Sequence, residues 1–550
     1  MKTKTGNKLN ESVQEKPRLV NAGQGFSVLK TVEYKGRFLY SKYNPAKAIE
    51  TYIDKMQVLS GTLIIACSPL LWYGIKKLKS LLPENCEIIA LENDENLFEL
   101  AMQNNSANVP LFKLSEGEKI DSFVRTLCKG GSIKRALKID FSAGVNFSSE
   151  KFDFTANAIS EIIATFWKNR ITLVKFGHLF SKNFLRNIAR LEKSKTLEDV
   201  VKTVSKPLLV LGAGEGLDSL PYSNFSPSDF FIIAVDAALS PLLARNITPD
   251  AVVTMESQLA IEKAFLDARN KKILLFADLC ARPEATKILG GNTIWFATKY
   301  ADGIFFDNLK KENVIRNFIE PMGSVGLAAT YIALKLRSSS SVPVFVAGLD
   351  FSYSIGTTHA KGTMALKQRF INSCRLVPIE NYDAAFSMVA QTVISKNGKK
   401  ICSTKILLQY AQQFKLMFKN EKNLFDCSST GINLGIPQSS LFTIKENPSK
   451  EKYESNKNVS NFCEKEKRKL EELRSLLSDG EKSPFINNLP EEISLSEQIK
   501  KLAEEREYLF LHFPDGYSFK MEQSFLKRIR AETDFFIKQL EIAIRENKPL

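Results

Sequence analysis

Pro207-Leu208-Leu209-Val210-Leu211-Gly212-Ala213-Gly214-Glu215-Gly216-Leu217-Asp218 is the stretch on which the fold turns. Its apolar run reads as a buried strand. Gly212 and Gly214 then permit a tight turn whose backbone amides can face an anion, with a helix start close behind. The next apolar run, 230–235, ends at Asp236, about 22 residues past Gly214, a spacing suited to an acid that holds a ribose hydroxyl. Leu217 stands where a dinucleotide fingerprint wants its third glycine. The loop therefore points to some nucleotide, or to a glycine turn that only packs strand on helix.

Downstream the rhythm repeats. Asn246-Ile247-Thr248-Pro249-Asp250 leads into a short apolar run that ends at Glu256. Pro321-Met322-Gly323-Ser324-Val325-Gly326 opens a helical run to Leu336, and 342–347 is again a strand. Gly348-Leu349-Asp350-Phe351-Ser352-Tyr353 follows it, then Thr357-Thr358-His359-Ala360-Lys361-Gly362. Strands of a parallel sheet end on one edge, and ligands bind there. Asp236, Glu256, Asp350 and His359 are expected to converge on that edge.

The rest of the chain divides by pattern. Residues 1–20 read as a disordered tail, 21–150 as an N-terminal α/β domain and 151–206 as a helical connector. Residues 207–440 form the central domain, 441–460 a polar linker and 461–550 a charged helical region. In the N-terminal domain, 62–67 and 87–91 read as buried strands around a helix at 71–82, with Glu92 after the second strand. The first turn there is Cys67-Ser68-Pro69-Leu70. It lacks glycine, and Pro69 lacks an amide, so the domain reads as a degenerate Rossmann-like scaffold rather than a nucleotide site. The C-terminal region places Leu470, Leu473 and Leu477 at helical spacing. Such amphipathic helices either fold back on their own chain or serve an oligomer or partner.

Composition bounds the function. The chain has 550 residues, 44% hydrophobic and 25% charged, with net charge +15. It can build real cores. The basic excess suits nucleic acid, a membrane surface or anionic small substrates. No Lys/Arg block with interleaved aromatics argues for nucleic acid. The longest apolar run, near 63–75, is broken by Ser68 and Pro69 and falls short of the ~18 residues of a membrane span. The polar opening reads as no signal peptide. Eight scattered cysteines without a C-x-x-C pair fit reduced thiols in a cytoplasmic protein.

The ordered marks in 207–437 resemble the central domain of the motility-associated factor (Maf) family. They are Gly212-Ala213-Gly214, Ala234-Val235-Asp236, Pro249-Asp250, Gly323-Ser324-Val325, Gly348-Leu349-Asp350, Thr358-His359-Ala360-Lys361-Gly362 and Phe425-Asp426-Cys427-Ser428-Ser429-Thr430-Gly431. That domain is itself similar to bacterial sialyltransferases of glycosyltransferase family 42. The resemblance implies an α/β fold with a Rossmann-like, sialyltransferase-type central domain. It implies a glycosyltransferase that moves a nonulosonic, sialic-acid-like sugar from a CMP-activated donor to Ser or Thr of flagellin, supporting flagellar assembly and motility. By the same resemblance Gly212, Gly214 and Asp236 would hold the nucleotide, and the turn of Gly323 and Ser324 would lie near the donor's phosphate and sugar. Ala213 in the glycine loop and Glu256 on the same sheet edge are expected to join that nucleotide and donor site. Where the family usually has Pro-Ser, this chain has Glu215-Gly216, which removes a hydroxyl and adds a negative charge.

No D-x-D pair occurs in 207–440. A CMP donor carries one phosphate, whose charge Arg, Lys, amides and a helix N-terminus can meet. A metal-independent reaction without a cofactor is therefore expected. The acceptor hydroxyl must lose a proton, and His359 is the only one of three histidines in the expected site. Asp350 is the rival base, or the group that orients the histidine. Tyr353 could contact the phosphate. Lys361 could face the sugar carboxylate or stand in solvent. Two other readings stay open: an ATP-dependent pterin pyrophosphokinase, and a non-catalytic flagellin-binding assembly factor.

Overall fold

The computed structural model describes residues 16–23, 29–220, 226–290, 292–378, 390–443, 461–482 and 490–547. Most of the expected tail and nearly all of the expected linker lie outside these residues. The chain packs as two units, 1–175 with 513–518, and 176–512 with 519–550.

In the first unit, β1 (Arg18–Ala22), β2 (Leu29–Tyr34) and β3 (Arg37–Phe38) form an antiparallel sheet. β1 thus begins inside the stretch read as a tail. β4 (Thr62–Cys67), β5 (Glu87–Glu92), β6 (Leu111–Lys113) and β7 (Arg135–Asp140) form a parallel sheet in the order β6-β5-β4-β7. β4 is buried along its whole length, as an unbroken apolar run in a two-sided parallel sheet should be. Alternate residues feed opposite faces. Leu63, Ile65, Ile89 and Leu91 pack with Ile120, Val124, Phe152 and Ile159, while Ile64, Ala66, Ile88 and Ala90 pack with Ile49, Ile53, Ile75 and Leu78.

The second unit holds an all-parallel sheet of eight strands. These are β8 (Lys195–Thr196), β9 (Leu208–Leu211), β10 (Phe231–Val235), β11 (Ala251–Thr254), β12 (Leu274–Asp278), β13 (Thr293–Phe296), β14 (Val344–Ala347) and β17 (Leu424–Asp426). Between the last two in sequence, β15 (Gln391–Ile394) and β16 (Lys400–Ser403) make a hairpin. The sheet order is β17-β14-β9-β10-β11-β12-β13-β8. The helix Val325–Leu336 returns the chain to β14, burying Leu327, Ala328, Ile332, Ala333 and Leu336.

The connector is mostly one 40-residue helix, Ser149–Ile188. Short turns and β8 follow it. In the C-terminal region, Phe462–Lys482, Pro490–Glu504 and Gln523–Asn547 are helices. The second of these stops at Glu504, where the chain turns at Glu507–Leu509 to bury Tyr508 and Leu509. The last helix is tied to its own unit: Glu546 pairs with Arg186 at 2.9 Å, Lys287 at 3.2 Å and Arg190 at 3.3 Å. Among the described residues, no helix is long and apolar enough to cross a membrane.

Candidate functional site

The order of the eight-stranded sheet reverses at β9. From there β10 to β13 run to one side and β14 and β17 to the other. In open α/β sheets this reversal opens a crevice beyond the carboxyl ends of the two central strands. The turn after β9 carries Gly212, Ala213, Gly214, Glu215 and Gly216. The long segment after β14 carries Asp350, Tyr353, His359 and Lys361.

The two segments are stitched together. Gly212 N donates to Ala347 O at 2.8 Å and Gly214 N to Gly348 O at 2.9 Å. Gly216 N donates to Asp350 Oδ2 at 2.8 Å. The Gly212, Gly214 and Gly216 amides are therefore spent on protein acceptors. Three glycines make room for Asp350. A Cβ on Gly214 would strike Asp350 Oδ2 and stand 2.8 Å from Gly348 O. One on Gly216 would lie 2.7 Å from Asp350 Oδ1, and one on Gly431 2.7 Å from the Asp350 Cα. A Cβ on Gly212 would instead meet the Gly348 carbonyl and the Leu349 side chain. This corrects the expectation that Gly212 and Gly214 leave space for a nucleotide phosphate: beside Gly212 that space holds protein backbone and Leu349, and beside Gly214 a carboxylate.

Asp350 is corrected with them. It is 3% exposed and also accepts from Thr430 Oγ1 at 3.1 Å. Burial raises its carboxyl above the usual range, against the pull of the Gly216 amide and the Lys396 charge. Enclosed in this way it cannot meet an acceptor hydroxyl, and among the described residues no hydrogen bond joins it to His359. Its work is to hold the glycine turn. Glu215 points away from the turn: its Oε2 accepts from Ser354 Oγ at 2.8 Å and Ser354 N at 3.1 Å.

His359 rides on the same weld. Ala360 N donates to Ala213 O at 2.8 Å and Lys361 N to Asp218 Oδ2 at 2.9 Å. Asp218 is itself paired with Arg245. The Lys361 side chain is exposed. His359 Nδ1 lies 2.9 Å from Thr358 Oγ1, which leaves Nε2 for other partners. Burial and the Arg369 charge hold its pKa below the ordinary 6.5, so the ring is neutral at neutral pH. Arg369 sits on the helix Met364–Asn372 and is mostly buried. Its charge also acts on Tyr353, whose phenol burial pushes upward. Tyr353 is 3% exposed, and its hydroxyl has no hydrogen-bond partner among the described residues. The Arg369 charge thus acts on both His359 and Tyr353. Arg369 was not legible beforehand, although it lies ten residues past His359 on the next helix.

The other expected residues line the same edge. Asp236 ends β10 and accepts from Ala237 N at 2.7 Å and Thr254 Oγ1 at 2.9 Å. Burial pushes its pKa up to about 6, and nearby Glu256 adds to the rise. Glu256 is half-buried, and its Oε1 accepts from Gln258 N at 3.0 Å. Asp278 at the end of β12 repeats the arrangement unforeseen: it accepts from Cys280 N at 2.6 Å and Thr298 N at 2.9 Å, and burial raises it to about 6. Ser324 caps the helix Val325–Leu336, accepting from Gly326 N at 3.2 Å. The Tyr410 ring covers Gly323 closely enough that a Cβ there would strike it.

Three comparisons bear on this site. The family model for MptE-like 6-hydroxymethylpterin diphosphokinases matches residues 182–356. An uncharacterized protein of Treponema pallidum (strain Nichols) is 31% identical over 557 aligned positions, 95% of this chain and 95% of its own. The chain belongs to one family with that protein. A second Treponema pallidum protein shares 25% identity over 220 positions, 40% of this chain and 45% of its own length. Among solved structures, a MAf glycosyltransferase from Magnetospirillum magneticum AMB-1 is similar across 97% of this chain and 93% of that one, with TM-score 0.51 and 13% identity. This likeness is one of fold. The α/β class with parallel sheets and a helical C-terminal region is the one expected from the residues.

Proposed function

We propose that the chain is a glycosyltransferase that moves a nonulosonic sugar from a CMP-activated donor to a Ser or Thr hydroxyl of flagellin in the cytoplasm, serving flagellar assembly and motility. The observation that supports this reading best is the group of His359, Tyr353 and Arg369 at the switch point of a sheet whose fold is that of a MAf glycosyltransferase. A neutral, partly buried imidazole beside a guanidinium suits a base that works against an anionic donor. In the proposed step, the acceptor hydroxyl oxygen bonds to the anomeric carbon of the sugar while His359 Nε2 takes its proton. The bond from that carbon to the phosphate oxygen breaks, and CMP leaves with the electron pair. Arg369 and the N-terminus of the helix Val325–Leu336 meet the phosphate charge. Lys361, exposed on the rim, faces the sugar carboxylate. Asp236 and Glu256 stand on the nucleoside side. With one phosphate to neutralise, the reaction needs no metal.

A second reading is an ATP-dependent pterin pyrophosphokinase, favoured by the family match over 182–356. The third, a non-catalytic flagellin-binding factor, is favoured by the glycine amides being engaged by Ala347, Gly348 and Asp350. Calorimetry with CMP and with ATP, each with and without Mg²⁺, separates them when combined with a transfer assay on flagellin. CMP binding without Mg²⁺ and labelled flagellin support the transferase. Binding of ATP only with Mg²⁺ moves the assignment to the pyrophosphokinase. Flagellin binding without either nucleotide leaves the assembly factor.

A further inference from the structure

The chain has three histidines. Two of them, outside the proposed transfer site, meet on one carboxylate. His178 lies on the helix Ser149–Ile188, His512 follows the turn Glu507–Leu509, and Glu532 lies on the helix Gln523–Asn547. His178 Nε2 is 3.1 Å from Glu532 Oε2, and His512 Nε2 is 3.3 Å from Glu532 Oε1. One ligand atom from each residue fits within 4.8 Å of the others. The rings of His178 and His512 are 4.9 Å apart, centre to centre, and Phe535 and Phe536 flank His178 at 4.5 and 5.6 Å.

Metal–ligand bonds of about 2.0–2.1 Å in a tetrahedron give ligand–ligand edges of roughly 3.3 Å. The two histidine–carboxylate separations are near that length and run to the two different oxygens of Glu532, with one ligand atom from each of the three residues within 4.8 Å of the others. Two imidazoles and one carboxylate are a donor set for zinc-class ions, with a fourth position left to water. The apolar Phe535 and Phe536 rings shield one side, which strengthens a charged centre.

We propose that His178, His512 and Glu532 bind one divalent transition-metal ion of the zinc class, which cross-links three separate segments of the second unit. Without metal, the same distances are two close histidine–carboxylate contacts. Metal binding needs a bare Nε2 on each ring: a neutral imidazole keeps its one proton on Nδ1, and a proton is released only from a ring that was imidazolium. The inference does not depend on whether the chain transfers a sugar.

The test uses the full-length chain, stripped with a chelator and dialysed, then titrated with Zn²⁺ and with Co²⁺. One equivalent of Zn²⁺ should be taken up, raising the melting temperature by about 5 °C at an excess near 100-fold over Kd. Co²⁺ should give visible absorption without a thiolate charge-transfer band, since the ligands are N and O. Glu532→Gln and His512→Ala should each weaken uptake at least about 10–100-fold, the loss expected when a ligand or its partner is removed. His359→Ala should bind as the unaltered chain does. Should His512→Ala not fold, the nearly isosteric Glu532→Gln decides. Uptake by the unaltered chain no tighter than by Glu532→Gln overturns the proposal and leaves a hydrogen-bonded triad. A thiolate band with Co²⁺ overturns it in favour of cysteine ligands.

Discussion

Each unit has a parallel sheet with an acid at the end of a central strand, Glu92 closing β5 in one and Asp236 just past β10 in the other. The two acids are used differently. Glu92 reaches back to the turn after the first strand: its Oε2 accepts from Ser68 Oγ at 2.6 Å and its Oε1 from Asn93 N at 2.7 Å. Asp236 turns instead to β11, through Thr254, and leaves the turn after β9 to Asp350. Both acids are buried and both have raised pKa values, with burial the largest cause. An acid in this position is therefore first a device that joins strand ends. The second unit differs further in the long segment after β14, which brings His359, Tyr353 and Arg369 to its sheet edge. In the first unit the open cleft, of about 670 Å³, lies instead beside β7, lined by Tyr40, Ser41, Lys138, Asp140 and Ser142 among others.

The strongest way to break this comparison is Gly214→Val. Its side chain would meet Asp350 and the Gly348 carbonyl, so the variant should lose more than about 4 kcal/mol and fail to form the second unit. Denaturant unfolding followed by circular dichroism reads it. A variant as stable as the unaltered chain would show that the turn is not packed on Asp350. This differs from a ligand-facing glycine, whose replacement would remove binding and spare the fold.

Next is His359→Ala, expected to lower turnover on flagellin by ~10²–10⁴-fold with CMP affinity nearly unchanged. Glu92→Gln in the first unit should leave turnover as it was. Loss of CMP binding in His359→Ala would make His359 a donor ligand rather than the base. Near-normal turnover would remove it from the mechanism altogether.

The pH profile sharpens the same contrast. The His359 pKa is lowered, so its neutral form persists below pH 6.5. The acidic limb of kcat/KM should fall below that value, and a limb at or above 6.5 would contradict the buried placement. The metal question can be kept apart by measuring transfer in Glu532→Gln with a chelator present. Turnover there should not need Mg²⁺ or Mn²⁺.

The smallest effect is on stability. Asp236 has a folded pKa of about 6 against 3.8 ordinarily. The stability it contributes is fully present below the lower value and is lost as pH rises through the higher one. Asp236→Asn can still accept from Ala237 N and donate to Thr254 Oγ1. Relative to the unaltered chain it should therefore gain stability above pH 6, by about 3 kcal/mol at most. A melting-temperature difference that does not change between pH 4 and 8 would contradict the raised pKa.

What the residues alone disclose follows from how locally each feature is encoded. β4, β9, β10, β11 and β14 are legible because a strand buried on both faces must be apolar throughout. β8 has only two residues, and the outer strand β1 of the β1–β3 meander is largely exposed, with Arg18, Leu19 and Asn21 outside the core and only Ala22 buried. Asp236, Glu256, Asp350 and His359 do stand at the carboxyl ends of β10, β11 and β14 or just past them. The role of the glycines was misread for a physical reason: a phosphate and a buried carboxylate ask the same of a turn, a missing Cβ. The meeting of His178 with His512 and Glu532 depends on contacts between distant segments and leaves no local pattern.

The enclosure of Asp350 by Gly214, Gly216 and Gly431 has a consequence for descent. No one of these four positions can change alone: a larger residue at any glycine meets the carboxylate, and a longer acid at 350 meets the glycines. Relatives should inherit the quartet as a block or lose it as a block, while position 359, free of that constraint, drifts by itself. A homologue that keeps the quartet and lacks histidine at 359 would then have the same sheet and a different trade.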